Sequence, residues 1–204
     1  PLGDVKAKIK NEFGITMNGF DDQHLQWAYE KLLDVSKTKF IDLTKPYIFS
    51  IEAKPYNPDD PISFAGTACP DTIRLVYGFP TDPEEIFKIT LIHEMSHRIR
   101  KCVDQSVSQY QLHLDARAAE RGVTYYGEHA SGLFDDGTAN PKIDSNCPDG
   151  NPNSEDYADT IAYYLNPPTY LQKDVCETGR LPNPYNGGGH PLHKEVARRV
   201  VGNY

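Results

Sequence analysis

The pentapeptide His93-Glu94-Met95-Ser96-His97 lies inside a helical pattern and limits what that helix can pack against. In a helix, positions i and i+4 share one face, one turn apart. Two imidazoles therefore project from the same side, with a carboxylate beside them. The residues just before, Ile89-Thr90-Leu91-Ile92, are largely apolar, so the helix enters a core. Polar side chains at such a place are costly to bury unless they are paired or bound to a cation. A chance match of the pattern on a plain surface helix is the alternative, and the apolar context weighs against it.

The arrangement carries a chemistry. His93 and His97 can both bind one zinc ion through a ring nitrogen, and Glu94 falls within reach of a water on that ion. Zinc lowers the pKa of such a water to about 7. A neighbouring carboxylate can take its proton and pass it to a leaving amine. The expected activity is hydrolysis of peptide bonds in a peptide or protein substrate, with one catalytic Zn²⁺ and Glu94 as general base.

A catalytic zinc keeps three protein ligands and one open position. Candidates downstream are Asp104, His113, Asp115, Glu128, His129, Asp135, Asp136, Glu155, Asp156, Asp159, His190 and His193. The strongest is Glu155. Glu155 and Asp159 stand at i and i+4 near the start of a helix read from 153 or 154 to 165, with Tyr157, Ile161, Tyr164 and Leu165 on the other face. Glu155 can bind the ion while Asp159 accepts an N–H from a ligand histidine, which fixes that ring's tautomer. The competing reading is an acidic helix start that complements the macrodipole. Asp115 and Asp104 are the reserves for the third ligand. Donors to the oxyanion of the transition state are sought among Tyr126, Tyr163 and His190, with Tyr125 and His193 behind them. For each of these, packing or a surface position is the competing reading.

HEMSH followed by Glu155-Asp156-Tyr157-Ala158-Asp159 resembles the gluzincin metallopeptidases, in which HExxH is followed by a glutamate and, four residues later, an acid. Two subgroups are similar: the lethal-factor-like and Pro-Pro endopeptidases, and the CAAX prenyl endopeptidase-like peptidases. His190-Pro191 with Arg198 downstream is similar to a segment of soluble relatives of the latter. The resemblance covers mainly residues 85–100 and 153–165. It implies His93, His97 and Glu155 as ligands, Glu94 as base and Asp159 as the group that orients a ligand histidine. A weaker resemblance, to the deuterolysin-like aspzincins, rests on Tyr126-Gly127, Ala130, Leu133 and residues 153–158. The aspartate of that family's second motif is missing from Gly122-Val123-Thr124-Tyr125.

The rest of the chain reads as one α+β domain of zincin type over residues 1–204, with a small, mostly antiparallel sheet against the HEMSH helix. Helices are expected over 20–40, 81–101, 106–121, 153–165 and 193–201, and strands over 47–53 and 72–77. Asp21 or Asp22 caps the first helix. Thr81-Asp82-Pro83-Glu84 reads as a capping box for the second. The strand 72–77 is expected to border the cleft and take an extended peptide by strand addition. Residues 187–190 read as a flexible loop or a plain linker. Residues 144–150 resemble a Ca²⁺ loop one residue too long, so a solvated turn is preferred.

Composition narrows the setting. The 204 residues carry 21 Lys+Arg against 29 Asp+Glu, a net charge of −8, so a nucleic-acid surface is not expected. No apolar run approaches the roughly 20 residues of a bilayer span, so no membrane insertion is expected. The chain is expected to act as a monomer. Cys69, Cys102, Cys147 and Cys176 form no CxxC pair. Their even number fits disulfides and a secreted, extracellular protein, against free cytosolic thiols. The start, Pro1-Leu2-Gly3, lacks an initiator Met and reads as a cloning remnant on a mature catalytic domain cut from a longer precursor. Two other functions stay open: a secreted toxin or effector protease with one narrow protein target, and a catalytically silent zinc-binding module. An intact Glu94 argues against the silent module.

Overall fold

The computed structural model describes residues 2–55, 71–77, 84–99, 107–120, 152–166, 170–172, 180–182, 185 and 188–202. The four cysteines, Tyr126, Asp104, the 144–150 turn and the first three residues of the capping box lie outside the described residues.

The helices are α1 (Leu2–Phe13), α2 (Asp22–Val35), α3 (Phe40–Thr44), α4 (Glu84–Arg98), α5 (Val107–Ala119), α6 (Pro152–Leu165) and α7 (Pro191–Val201). The strands are β1 (Thr16–Asn18), β2 (Ile48–Pro55), β3 (Asp71–Tyr77), β4 (Tyr170–Gln172) and β5 (Arg180–Pro182). The described residues thus form a mixed helix and sheet structure of α+β kind.

The sheet corrects one expectation. Its order is β1-β2-β3 and both pairings are parallel, with Met17 beside Ile51 and Ile51 beside Ile73. Parallel neighbours need a crossover of about a dozen residues or more. Between β1 and β2 that crossover is α2, α3 and a 3-10 turn over Lys45–Tyr47. Between β2 and β3 the chain runs through residues 56–70, a length that a crossover needs. Among the described residues the antiparallel pair is elsewhere, β4 with β5.

Local chemistry explains the helix limits. Gly14 takes φ +77 and its N–H donates to Lys10 O (3.0 Å), a left-handed stop after α1 that other residues adopt poorly. Asp21 caps α2, its Oδ1 accepting from His24 N at 2.9 Å. The helix read over 20–40 is shorter, Asp22–Val35, and α3 begins only at Phe40. Ser36 Oγ donates to Leu33 O and Thr38 Oγ1 to Val35 O, both at 2.7 Å, so side-chain hydroxyls take carbonyls at the end of α2. α6 begins at Pro152, ahead of the expected Asn153 or Ser154 cap. Proline suits the first turn, where its missing N–H costs nothing. α1 and β1 were not anticipated.

The core joins both layers. Met17, Ile51, Ile73 and Leu75 come from the sheet, Leu25, Ala28 and Leu32 from α2, Leu91, Ile92 and Met95 from α4, and Ile161 and Ala162 from α6. α4 packs against α6 and β3. Arg98, buried at the end of α4, donates from Nη2 to Thr72 O on β3 (3.4 Å). Lys31 of α2 fastens the far end of α6. Its buried Nζ donates to Leu165 O (2.7 Å), Asn166 Oδ1 (3.2 Å) and Asp34 Oδ2 (3.0 Å). These contacts hold α6 beside α4, and the candidate site lies between those two helices.

Candidate metal centre

α4 buries Phe87, Leu91, Ile92 and Met95 and leaves His93, Glu94 and His97 half-buried on the neighbouring face. The i, i+4 spacing has the expected result. His97 Nε2 lies 3.1 Å from His93 Nε2, and the two rings meet edge to face. Two nitrogens that each bind one zinc at about 2.0–2.1 Å in a tetrahedron stand roughly 3.3 Å apart. The pair is therefore spaced as ligands of one ion. A ligand atom of Glu94 lies within 4.8 Å of both histidines.

The other wall of the site is α6. His93 Nδ1–H donates to Asp159 Oδ1 at 2.5 Å. That bond places the ring proton on Nδ1 and leaves a lone pair on Nε2, the nitrogen facing His97. Asp159 is itself buried, on a helix whose Ala158, Ile161 and Ala162 are also buried. Glu155 stands on the α6 backbone one turn before Asp159, and its side chain lies outside the described residues.

The remaining sequence candidates fall elsewhere. Tyr163 is on α6, one turn beyond Asp159, and is buried in the core cluster. Asp115 is exposed on α5 and accepts from Gln111 Nε2 (2.8 Å). His190 precedes α7 with φ 50 and ψ 52, and its ring meets His193 edge to face, 5.6 Å between centroids. Arg198 is exposed on α7 and forks onto Glu195 through Nε (2.6 Å) and Nη2 (2.7 Å).

His190 belongs to a second group. His113 of α5, Asp156 of α6 and His193 of α7 meet in the interior, each with 0% exposure. His113 Nε2 lies 2.9 Å and His193 Nε2 3.0 Å from the same oxygen, Asp156 Oδ2. Glu120, just beyond α5, completes the chain. Its Oε2 accepts from His193 Nδ1 (2.7 Å) and His193 N (3.1 Å), and its Oε1 from Leu192 N (2.7 Å).

Burial alone would raise the pKa of Asp156, but the hydrogen bonds and charge of His113 and His193 outweigh it and hold the carboxyl far below the usual range. Burial works against the His193 cation too, and Asp156 and Glu120 reverse that, raising its pKa. At His113 burial wins, helped by His193 and Arg117, and the ring is pushed toward neutral. Glu120 is lowered, its modest burial outweighed by His193 and by two backbone N–H groups.

Sequence reading placed His113 and Asp156 only among a dozen possible third ligands, named His193 there and among the oxyanion donors, and did not single out Glu120. No short spacing links them, so only the packing of three helices brings them together. No family model, no curated protein and no solved structure matches this chain.

Proposed function

We propose that the chain is a zinc-dependent endopeptidase of zincin type, resembling the gluzincins. The observation that carries this reading is the His93–His97 pair, 3.1 Å apart at Nε2, with Asp159 on Nδ1 of His93. The donor set fits the ion: two imidazole nitrogens spaced as ligands of one ion, one ring already oriented by a carboxylate, and a face left partly open. When bound, zinc polarises the scissile carbonyl and lets water attack near neutral pH.

The side chains then have distinct tasks. His93 and His97 hold the ion through Nε2. Glu155 is the third ligand, placed on the helix that carries Asp159. Glu94 orients the attacking water, takes its proton and delivers it to the departing amine nitrogen. β3 is at one end of the strand order, and among the described residues no strand pairs with its outer edge. An extended substrate peptide can add there, its main chain hydrogen-bonding along β3 toward α4.

Glu94→Gln keeps the shape and removes the base. It is expected to lower peptide hydrolysis by about 10²–10⁴-fold with zinc still bound. Wild-type rates in the variant would end the mechanism, and a wild-type protein that takes up no zinc after metal stripping and reconstitution would end the whole reading. Glu155→Ala tests the third ligand separately: unchanged zinc affinity would remove Glu155 from the set.

A further inference from the structure

We propose that His113, Asp156 and His193 form a second, structural binding site for a divalent cation of zinc type, which fastens α5, α6 and α7 together. The donors are two imidazole nitrogens and one carboxylate oxygen, all within 4.8 Å of one another and all from side chains with 0% exposure. Such a set supplies three of the four ligands that zinc takes, and its complete burial sets it apart from the half-open centre on α4. Glu120 supplies the outer partner. Its carboxylate on Nδ1 of His193 leaves Nε2 facing the other two donors, the carboxylate–histidine arrangement that orients metal ligands.

Formal charge favours a dication here. Two carboxylates, Glu120 and Asp156, bring −2. Hydrogen bonds from both nitrogens of His193 to carboxylates require an imidazolium, which contributes +1. His113 contributes nothing more. Its Nδ1 is buried with no partner among the described residues, so none of them accepts a second ring proton. Protons alone thus leave these four side chains at −1, and three of them, His113, Asp156 and His193, are fully buried, where charge is costly. A dication with both rings neutral brings the same four side chains to zero. It also takes the place where His113 and His193 now converge on one oxygen, Asp156 Oδ2.

The neighbouring triad Glu120, His190 and His193 offers an alternative set around the other nitrogen of His193. It is less buried, and it gives up the bond from His193 Nδ1 to Glu120, so the fully buried set is preferred.

The test uses zinc itself and the whole chain. In His93→Ala/His97→Ala the α4 centre is removed and the buried cluster untouched. After stripping and dialysis against zinc, this variant is expected to retain about one ion per chain where wild type holds about two, and zinc should raise its unfolding midpoint. Adding His113→Gln should abolish both the ion and the zinc-dependent shift. Adding His190→Ala should leave both in place. A folded double variant with no ion overturns the proposal, as does an ion that survives His113→Gln or disappears with His190→Ala. The α4 reading is judged apart, by the ion that wild type loses on His93→Ala/His97→Ala.

Discussion

The two histidine clusters use the same side-chain chemistry and are built in opposite ways. In the α4 centre both rings come from one helix, four residues apart, and backbone geometry alone brings their nitrogens together. Asp159, and Glu155 as the proposed third ligand, come from a second helix, α6. In the interior cluster each of the three main residues comes from a different helix, and Glu120 joins from the end of α5. The histidine pair of the first therefore needs no tertiary packing, although its α6 carboxylates do, whereas the second is a tertiary contact throughout. Exposure follows the same division. His93, Glu94 and His97 keep a face toward solvent, as a site that takes a substrate must. His113, Asp156 and His193 have none. The difference suggests that one cluster does chemistry and the other holds the helices in place.

The largest expected effect breaks the interior cluster. Asp156→Asn removes the carboxylate that His113 and His193 share and leaves His193 facing an amide in a buried place. Removing one partner of a buried charged pair costs on the order of 3–5 kcal/mol. Urea or thermal unfolding of metal-free protein should show that loss. Zinc uptake at the α4 centre, measured in the folded fraction, should stay close to wild type. A variant as stable as wild type would mean that the cluster fastens nothing. A variant that folds but loses the α4 ion would mean that the two clusters act as one unit.

The same contrast explains how much was legible in the sequence. HEMSH could be read because its geometry is local: a helix pattern with apolar neighbours fixes where His93 and His97 point. Asp159 was within reach for the same reason, since its spacing from Glu155 places both on one face of a helix. Strands 47–53 and 72–77 were visible from their β-branched and aromatic content, but their direction was not. Parallel pairing of β1, β2 and β3 depends on each connection returning the chain to the same end of the sheet, which no local window contains. β1 has only three residues, Thr16–Asn18, too few to show a period. α1 was missed at the chain start, where the first residues were set aside as a remnant. Glu120 ends a helix among alanines and looks like an ordinary surface acid, and its partner lies 73 residues further on.

A smaller effect is expected at the bond that links the α4 centre to α6. Asp159→Asn keeps an oxygen that can accept from His93 Nδ1 but removes the charge that strengthens the ring as a ligand. Zinc affinity should fall about 10–100-fold, and hydrolysis at limiting zinc should fall with it. Metal-free stability should stay within about 1 kcal/mol of wild type, because the hydrogen bond survives in neutral form. Asp156 and Asp159 are three residues apart on α6, so the two substitutions form a matched pair. One should cost stability and spare the α4 ion, the other the reverse. If both variants lose stability alike, the division between a chemical cluster and a fastening cluster fails.

The smallest effect concerns Tyr185, which ties the segment before α7 to α6. Its buried hydroxyl donates to Thr160 O at 3.0 Å. Burial, with Asp156 and Asp159 adding to it, pushes the phenol well above its ordinary pKa, so the group stays a neutral donor. Tyr185→Phe removes only the oxygen. Thr160 O lies inside α6, where the helix already supplies a backbone donor, so no carbonyl is left without a partner. The cost should be about 0.5–1.5 kcal/mol, at the level of a single neutral hydrogen bond. Combined with Asp156→Asn it tests whether this bond and the interior cluster belong to one fastening. Stability losses that add within roughly 0.5 kcal/mol would make them independent ties between α6 and the end of the chain. A combined loss well below the sum would mean that Asp156→Asn already frees the segment that carries Tyr185, and that the interior cluster alone sets the position of α7 against α6.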